Sequence, residues 1–287
     1  MARKRSFQHK LETITSINNI SAIDADTIGF VPRILINTSF PAKNIQSNEY
    51  ERVNGKFTLH IHSPFGVPYG SVARRAMYYI AKQVVTQKSP EIFLGKSQAK
   101  FLFNLKMQST GGVNGTIVNL QNQIKRLFTS TISWSETTDV MFSCNTMSIT
   151  KEVCIFWDKR TPEQWQTHLT LSEEFYQEII NNAVPIDLRV IDALSYYPFA
   201  MDVYGWLTYR YFHLKSIQRI PWLSLEGQFG NNYSRLINFK RKFNKAITEV
   251  SFFYPQANYK ITEDFLILYK SSPHIPPKLV KTFFDTS

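Results

Sequence analysis

The tightest constraint on this chain is an amphipathic helical pattern that occurs twice. Leu236, Phe239, Phe243, Ile247 and Val250 recur at helical spacing over 233–250 and form one apolar stripe. Ile117, Leu120, Ile124, Leu127 and Phe128 do the same over 114–130. Laid side by side, Leu120–Phe128 and Phe239–Ile247 largely coincide in their apolar and basic positions. A helix with one apolar face must bury that face, so each copy demands a domain around it.

The elements flanking each copy come in the same order. Phe57–His62 alternates like a strand, and Pro64, Gly66, Pro68 and Gly70 then break the chain. A helix over 71–87, a short strand over 91–95, a helix over 98–107 capped by Ser97 and a turn at 109–112 lead to the first copy. Strand-like runs over 131–135, 140–147 and 149–157 follow it. In the second half, Ser172 caps a helix and another runs over about 188–194. A long helix then starts at Pro198, followed by a strand-like 220–222 and a helix over 223–229 stopped by Gly230. A hairpin over 259–269 follows the second copy. Helix, strand, helix, turn, helix, hairpin is the order of a winged helix-turn-helix. The predicted fold class is α+β, two tandem, pseudo-duplicated winged helix-turn-helix domains, mostly helical with β-hairpin wings. The predicted domains are 57–160 and 161–287, the second carrying the main reading helix. Residues 1–56 are expected to be irregular and to begin with a flexible basic arm.

Charge is distributed in blocks. Lys and Arg number 33 against 22 Asp and Glu, a net +11. Residues 1–135 carry +11, 136–228 carry −5 and 229–287 carry +5. Two separated basic blocks suit two contacts on one long polyanion; chance clustering on solvated faces is the plainer alternative. A membrane binder would concentrate charge on one amphipathic helix, and no apolar run approaches the length of a membrane span. No apolar stretch follows Met1-Ala2-Arg3-Lys4-Arg5, so no secretion signal is expected. Cys144 and Cys154 offer neither a disulfide framework nor a zinc spacing, which fits a reducing cytoplasm.

Opposite the buried stripe of 233–250 lie Ser234, Asn238, Arg241 and Lys245, with Arg235 and Lys242 on one flank and Lys240 on the other. Asn can pair with adenine and Arg with guanine in a major groove, while the flanking cations hold phosphates. The competing reading is a solvated basic face, against which stands the strong excess of cations over the lone terminal Glu249. On 114–130 the outer stripe is Asn119, Asn122 and Arg126, with Lys125 beside it; base reading and plain polar surface fit this face equally well. Arg74, Arg75, Lys96 and Lys100 are further phosphate candidates. Arg3, Lys4 and Arg5 are expected to make non-specific contacts, with entry into a minor groove as the alternative.

A series of short motifs resembles the RepA-type plasmid replication initiator family. In order they are Val67-Pro68-Tyr69-Gly70, Ser89-Pro90-Glu91-Ile92 with Leu94-Gly95, Thr110-Gly111-Gly112, Arg126-Leu127-Phe128, and Leu171-Ser172-Glu173 with Phe175. Val184-Pro185-Ile186-Asp187-Leu188-Arg189, Asp202-Val203-Tyr204 with Trp206-Leu207-Thr208-Tyr209-Arg210, Ile220-Pro221-Trp222, Gln228-Phe229-Gly230 and Phe239-Lys240-Arg241 complete it. The series runs from about residue 60 to about 275 and departs from the family at Ser71-Val72-Ala73-Arg74. The resemblance implies binding to repeated double-stranded sites at a plasmid origin and opening of the adjacent duplex. It also implies recruitment of a host helicase, loader or initiator, and a homodimer off DNA. No cofactor and no catalysis are implied.

Two rival readings remain. His60-Ile61-His62 and Tyr79-Ile80-Ala81-Lys82 imitate a metal-dependent nickase, in which two His hold a divalent ion and Tyr attacks a phosphodiester. Both patterns are short, and a third ligand is not evident. A transcriptional regulator without origin function would need the same helices. No Gly-rich Lys loop is present, so ATP-driven unwinding by this chain is not expected.

Overall fold

The computed structural model describes residues 2–112, 115–155, 167–230 and 235–277. Its first elements are α1 (Ala2–Asn19), β1 (Ile28–Val31), α2 (Arg33–Asn37), β2 (Glu49–Asn54), β3 (Phe57–His62), α3 (Gly70–Gln87), α4 (Gln98–Asn104) and α5 (Thr116–Phe128). Then come β4 (Thr131–Thr137), β5 (Phe142–Ser148), β6 (Thr150–Ile155), β7 (Thr167–Leu171), α6 (Glu173–Asn182), β8 (Val184–Asp187) and α7 (Leu188–Ala193). The last are α8 (Pro198–His213), β9 (Gln218–Pro221), α9 (Trp222–Phe229), α10 (Leu236–Ser251), β10 (Tyr259–Ile261) and β11 (Phe265–Leu268). Among the described residues this is a mixed fold of ten helices and four small antiparallel sheets. No helix of these residues is long and apolar enough to cross a membrane.

Two compact units emerge, one drawn from Met1–Val31 and Val184–Ser287, the other from Pro32–Ala183. This corrects the linear division at 56 and 160. The physical reason is a strand pair: β1 lies antiparallel to β8, with Ile28 opposite Asp187 and Val31 opposite Val184, so the chain start belongs with its end. Gly29 permits the approach, because a Cβ there would collide with the Leu188 side chain.

The expected flexible arm is the helix α1, which packs on α7. Its attachment is polar. Arg189 donates from Nη1 to the carbonyls of Ser16 (2.9 Å) and Ile20 (3.0 Å), His9 Nε2 lies 3.5 Å from Asp192, and Lys10 pairs with Glu249. Arg189 is itself held by the buried Asp187, Nη2 to Oδ2 at 2.6 Å.

In this first unit α8 is buried along most of its length, from Phe199 to Tyr211, and Pro198 opens it at the position where a missing N–H costs nothing. Phe199, Trp206, Phe229 and Phe243 meet edge to face, with Phe229 and Phe243 centroids 5.5 Å apart and Trp206 and Phe229 5.6 Å apart. These rings fix α9 and α10 against α8. The strand order β10-β11-β9 brings the hairpin after α10 back to the strand between α8 and α9.

In the second unit β2, β3, β4 and β5 form one sheet in that order, burying Leu59, Ile61, Ile132 and Met147. The 131–147 hairpin, expected as a wing, is therefore the far half of a four-stranded sheet. α3 buries Ala73, Ala76, Met77, Ile80, Ala81 and Val84 and packs against α5 and α6. The β6–β7 hairpin lies beside the short segment after α3: Ile92 N–H donates to Leu169 O at 2.8 Å, and Leu171 N–H to Pro90 O at 2.9 Å.

Candidate nucleic-acid interface

The amphipathic pattern of α10 is realised in the first unit. Phe239, Phe243, Ala246, Ile247 and Val250 are buried, and Arg235, Ile237, Arg241, Lys245 and Thr248 are exposed. The helix begins at Leu236 with Arg235 as its N-cap residue, two to three residues later than the periodicity suggests. Asn238 is half-buried beside the exposed stripe, and Ser234 lies outside the described residues. The flanking lysines lean onto aromatic rings. Lys242 Nζ stands 5.0 Å from the Phe199 ring centroid and Lys245 Nζ 5.7 Å from that of Tyr197. Lys240 turns toward the hairpin, donating to Glu263 O at 5.7 Å from the Trp222 ring. The cations thus border an exposed face that carries Arg241 and Lys245, the latter with its ammonium group beside the Tyr197 ring. Ile237, which the sequence reading places on neither face, is 55% exposed. Its spacing from Arg241 and Lys245 was the available signal.

In the second unit α5 exposes Asn119, Asn122 and Lys125 and buries Leu120, Gln123, Ile124, Leu127 and Phe128. Lys125 Nζ sits 3.7 Å above the half-exposed Phe65 ring. Arg126 does not stand with this outer stripe. Its Nη1 donates to Val67 O at 3.1 Å and Asn44 Oδ1 at 3.4 Å, and its guanidinium lies 5.3 Å from the Tyr69 ring. Gly66, at φ +94°, makes room for it: a Cβ there would come 2.8 Å from Nη1.

Two phosphate candidates are corrected. Arg74 is 1% exposed; Nη1 donates to the carbonyls of Gly70 and Pro41, and Nη2 to that of Phe40. Arg75 is buried too, with Nη1 2.8 Å from the carbonyls of both Leu105 and Lys106. These side chains tie loops to α3 and cannot meet a phosphate in this fold. Lys96 and Lys100 are exposed as expected. Beside them the sequence reading missed Phe103, 60% exposed, with Lys100 and Lys106 ammonium groups 4.6 and 5.6 Å from its ring.

The nickase elements behave differently from their motif. His60 and His62 are exposed on β3 opposite Glu51 and Glu49, and His60 Nε2 lies 3.4 Å from Glu51. The Tyr79 hydroxyl donates to Phe93 O (3.1 Å) and accepts from Gln83 (2.6 Å) and Asn104 (3.2 Å). Burial pushes its pKa up, away from the phenolate a nucleophile needs. Among the described residues no group of three or more His, Cys, Asp or Glu side chains is arranged to hold a metal ion.

Comparison with known proteins bears on this arrangement at two levels. The chain resembles the crystal structure of domains 2 and 3 of RctB with a TM-score of 0.53 at 9% identity, over 84% of this chain and 98% of that one. At that identity the likeness is one of fold. No curated protein matches the sequence. Residues 67–222 match the family described as plasmid encoded RepA protein. That match spans more than half of the chain and contains α3, α4, α5 and α8, and on it the chain belongs to the plasmid encoded RepA protein family.

Proposed function

We propose that this chain is a sequence-specific, duplex-DNA-binding initiator of plasmid replication. It reads repeated origin sites with α10 and α5, and its role is to promote opening of the origin and to recruit host replication proteins, with no catalysis of its own. The observation that carries the reading is the face of α10, where Arg235, Arg241 and Lys245 lie exposed opposite the buried stripe of Phe239, Phe243, Ala246, Ile247 and Val250.

The connectivity around that helix supports a winged helix-turn-helix. α8, β9, α9, α10, β10 and β11 follow in that order, and β11 returns to β9. The second unit has a parallel arrangement: α3, the 90–92 segment, α4, α5, then the β6–β7 hairpin with β7 beside 90–92. The β4–β5 hairpin is then an insertion between the third helix and the wing. Leu120, Ile124, Leu127 and Phe128 are buried where Phe239, Phe243, Ala246 and Ile247 are, at a constant offset along the chain. This favours a duplicated unit. We also propose that the protein acts in the cytoplasm and dimerises off DNA.

Footprinting on DNA flanking the gene tests the proposal. Protected direct repeats are expected, with contacted segments about one helical turn, 10–10.5 bp, apart. A single inverted repeat at the promoter would replace it with the regulator reading. Metal-dependent nicking of supercoiled origin DNA, lost in Tyr79→Phe, would instead favour the nickase.

A further inference from the structure

The two reading helices share a feature that cations and asparagines do not explain. Each carries a β-branched aliphatic residue, then Asn, then a fully buried large apolar residue near its N-terminus: Val118-Asn119-Leu120 on α5 and Ile237-Asn238-Phe239 on α10. The buried third member fixes the rotation of each helix. The aliphatic residue therefore cannot turn inward: Ile237 is 55% exposed and Val118 is partly exposed. An exposed Ile needs no special reason by itself. This one lies among Arg235, Asn238 and Arg241, an environment hostile to an apolar protein partner and suited to a polyanion. The apolar feature that a major groove offers is the 5-methyl group of thymine, and the base that Asn reads best is adenine.

We infer that Ile237 and Val118 are specificity-determining residues that contact thymine methyl groups, each next to an adenine read by the following Asn. The inference rests on the proposal that α10 and α5 read duplex DNA. It makes the two contacted segments alike at their A·T pairs. They differ one turn further along the helices, where α5 presents Asn122 to adenine and α10 presents Arg241 to guanine.

Uracil differs from thymine by the methyl group alone, so interference with uracil tests the contact directly. The probe is the duplex protected in the footprint, prepared with thymine sparsely replaced by uracil and partitioned into bound and free fractions. Losing one buried methyl should weaken binding about fourfold at a contacted position. Ile237→Ser should abolish that discrimination in one segment and leave it in the other, and Val118→Ser should do the converse. Both residues are at least partly exposed, so matched thermal melts separate this from unfolding. If uracil is without effect anywhere while Arg241→Ala still weakens specific binding, the thymine contact is wrong and α10 remains a reader. If Arg241→Ala and Ile237→Ser both bind like the parent protein, α10 is not a reader and the inference falls with that proposal.

Discussion

The hydroxyl of the fully buried Tyr204 and Nδ1 of the partly buried His274 lie 2.6 Å apart in the first unit. The hydroxyl also accepts the Asp187 backbone N–H at 2.9 Å, which leaves its own proton available to His274 Nδ1. Burial is the main reason that His274 is pushed down to about 4, with the Asp187 carboxylate opposing and the Arg189 guanidinium assisting.

That arrangement predicts a pH dependence of stability. Unfolded, His274 binds a proton below its ordinary value near 6.5; folded, it does so only near 4. The unfolded state therefore holds more protons in that window, and stability falls as pH drops through it. The loss is expected to approach about 3 kcal/mol by pH 4, with little change from this group above pH 7. Denaturant titrations of the parent and His274→Asn at several pH values check this. The variant keeps an acceptor for Tyr204 and should lose that component of the slope.

Arg241→Ala with Lys245→Ala should weaken specific DNA binding by several kcal/mol, at about 1–3 per base-reading contact. Both side chains are exposed, so the melting temperature should hold. Lys242→Ala should weaken binding to all sequences alike and reduce the salt slope by about one unit. Equal affinity of the double variant for origin DNA would remove α10 as the reader.

Arg74→Met should act on stability alone. It leaves the carbonyls of Phe40, Pro41 and Gly70 without their buried charged donor, at a cost of about 3 kcal/mol or more. Lys96→Ala and Lys100→Ala should stay within about 0.5 kcal/mol of the parent in the same denaturation experiment. A stable Arg74→Met protein with impaired DNA binding would reverse the structural assignment.

Gly29→Ala should cost about 1–3 kcal/mol, because the added methyl collides with Leu188 across the β1–β8 pair. Hydrogen exchange should show the loss first at β1 and β8, with the Pro32–Ala183 unit unaffected. Uniformly retained protection would mean that this seam has room to spare.

The elements that bury a periodic apolar face were legible in the sequence. The α5 and α10 stripes, the long α8 and the final hairpin all lie within a few residues of where spacing and capping residues put them. α1 was not legible, because its hold on the fold comes from Arg189, Lys10 and His9 rather than an apolar stripe. Nor was the role of Arg74, since composition counts every arginine as surface charge and only the fold shows three carbonyls converging on it. Strand partners far apart in the chain, such as Ile28 and Asp187, leave no mark in local pattern.

The β1–β8 pair also dictates an order of events at the ribosome. Everything from Pro32 to Ala183 is threaded between two neighbouring strands, so that unit is synthesised whole before β1 acquires its partner. Until then the strand Ile28–Val31 waits without its partner. β1 is made early and paired late, and a nascent chain truncated at Ala183 would carry the complete insert with its host still open.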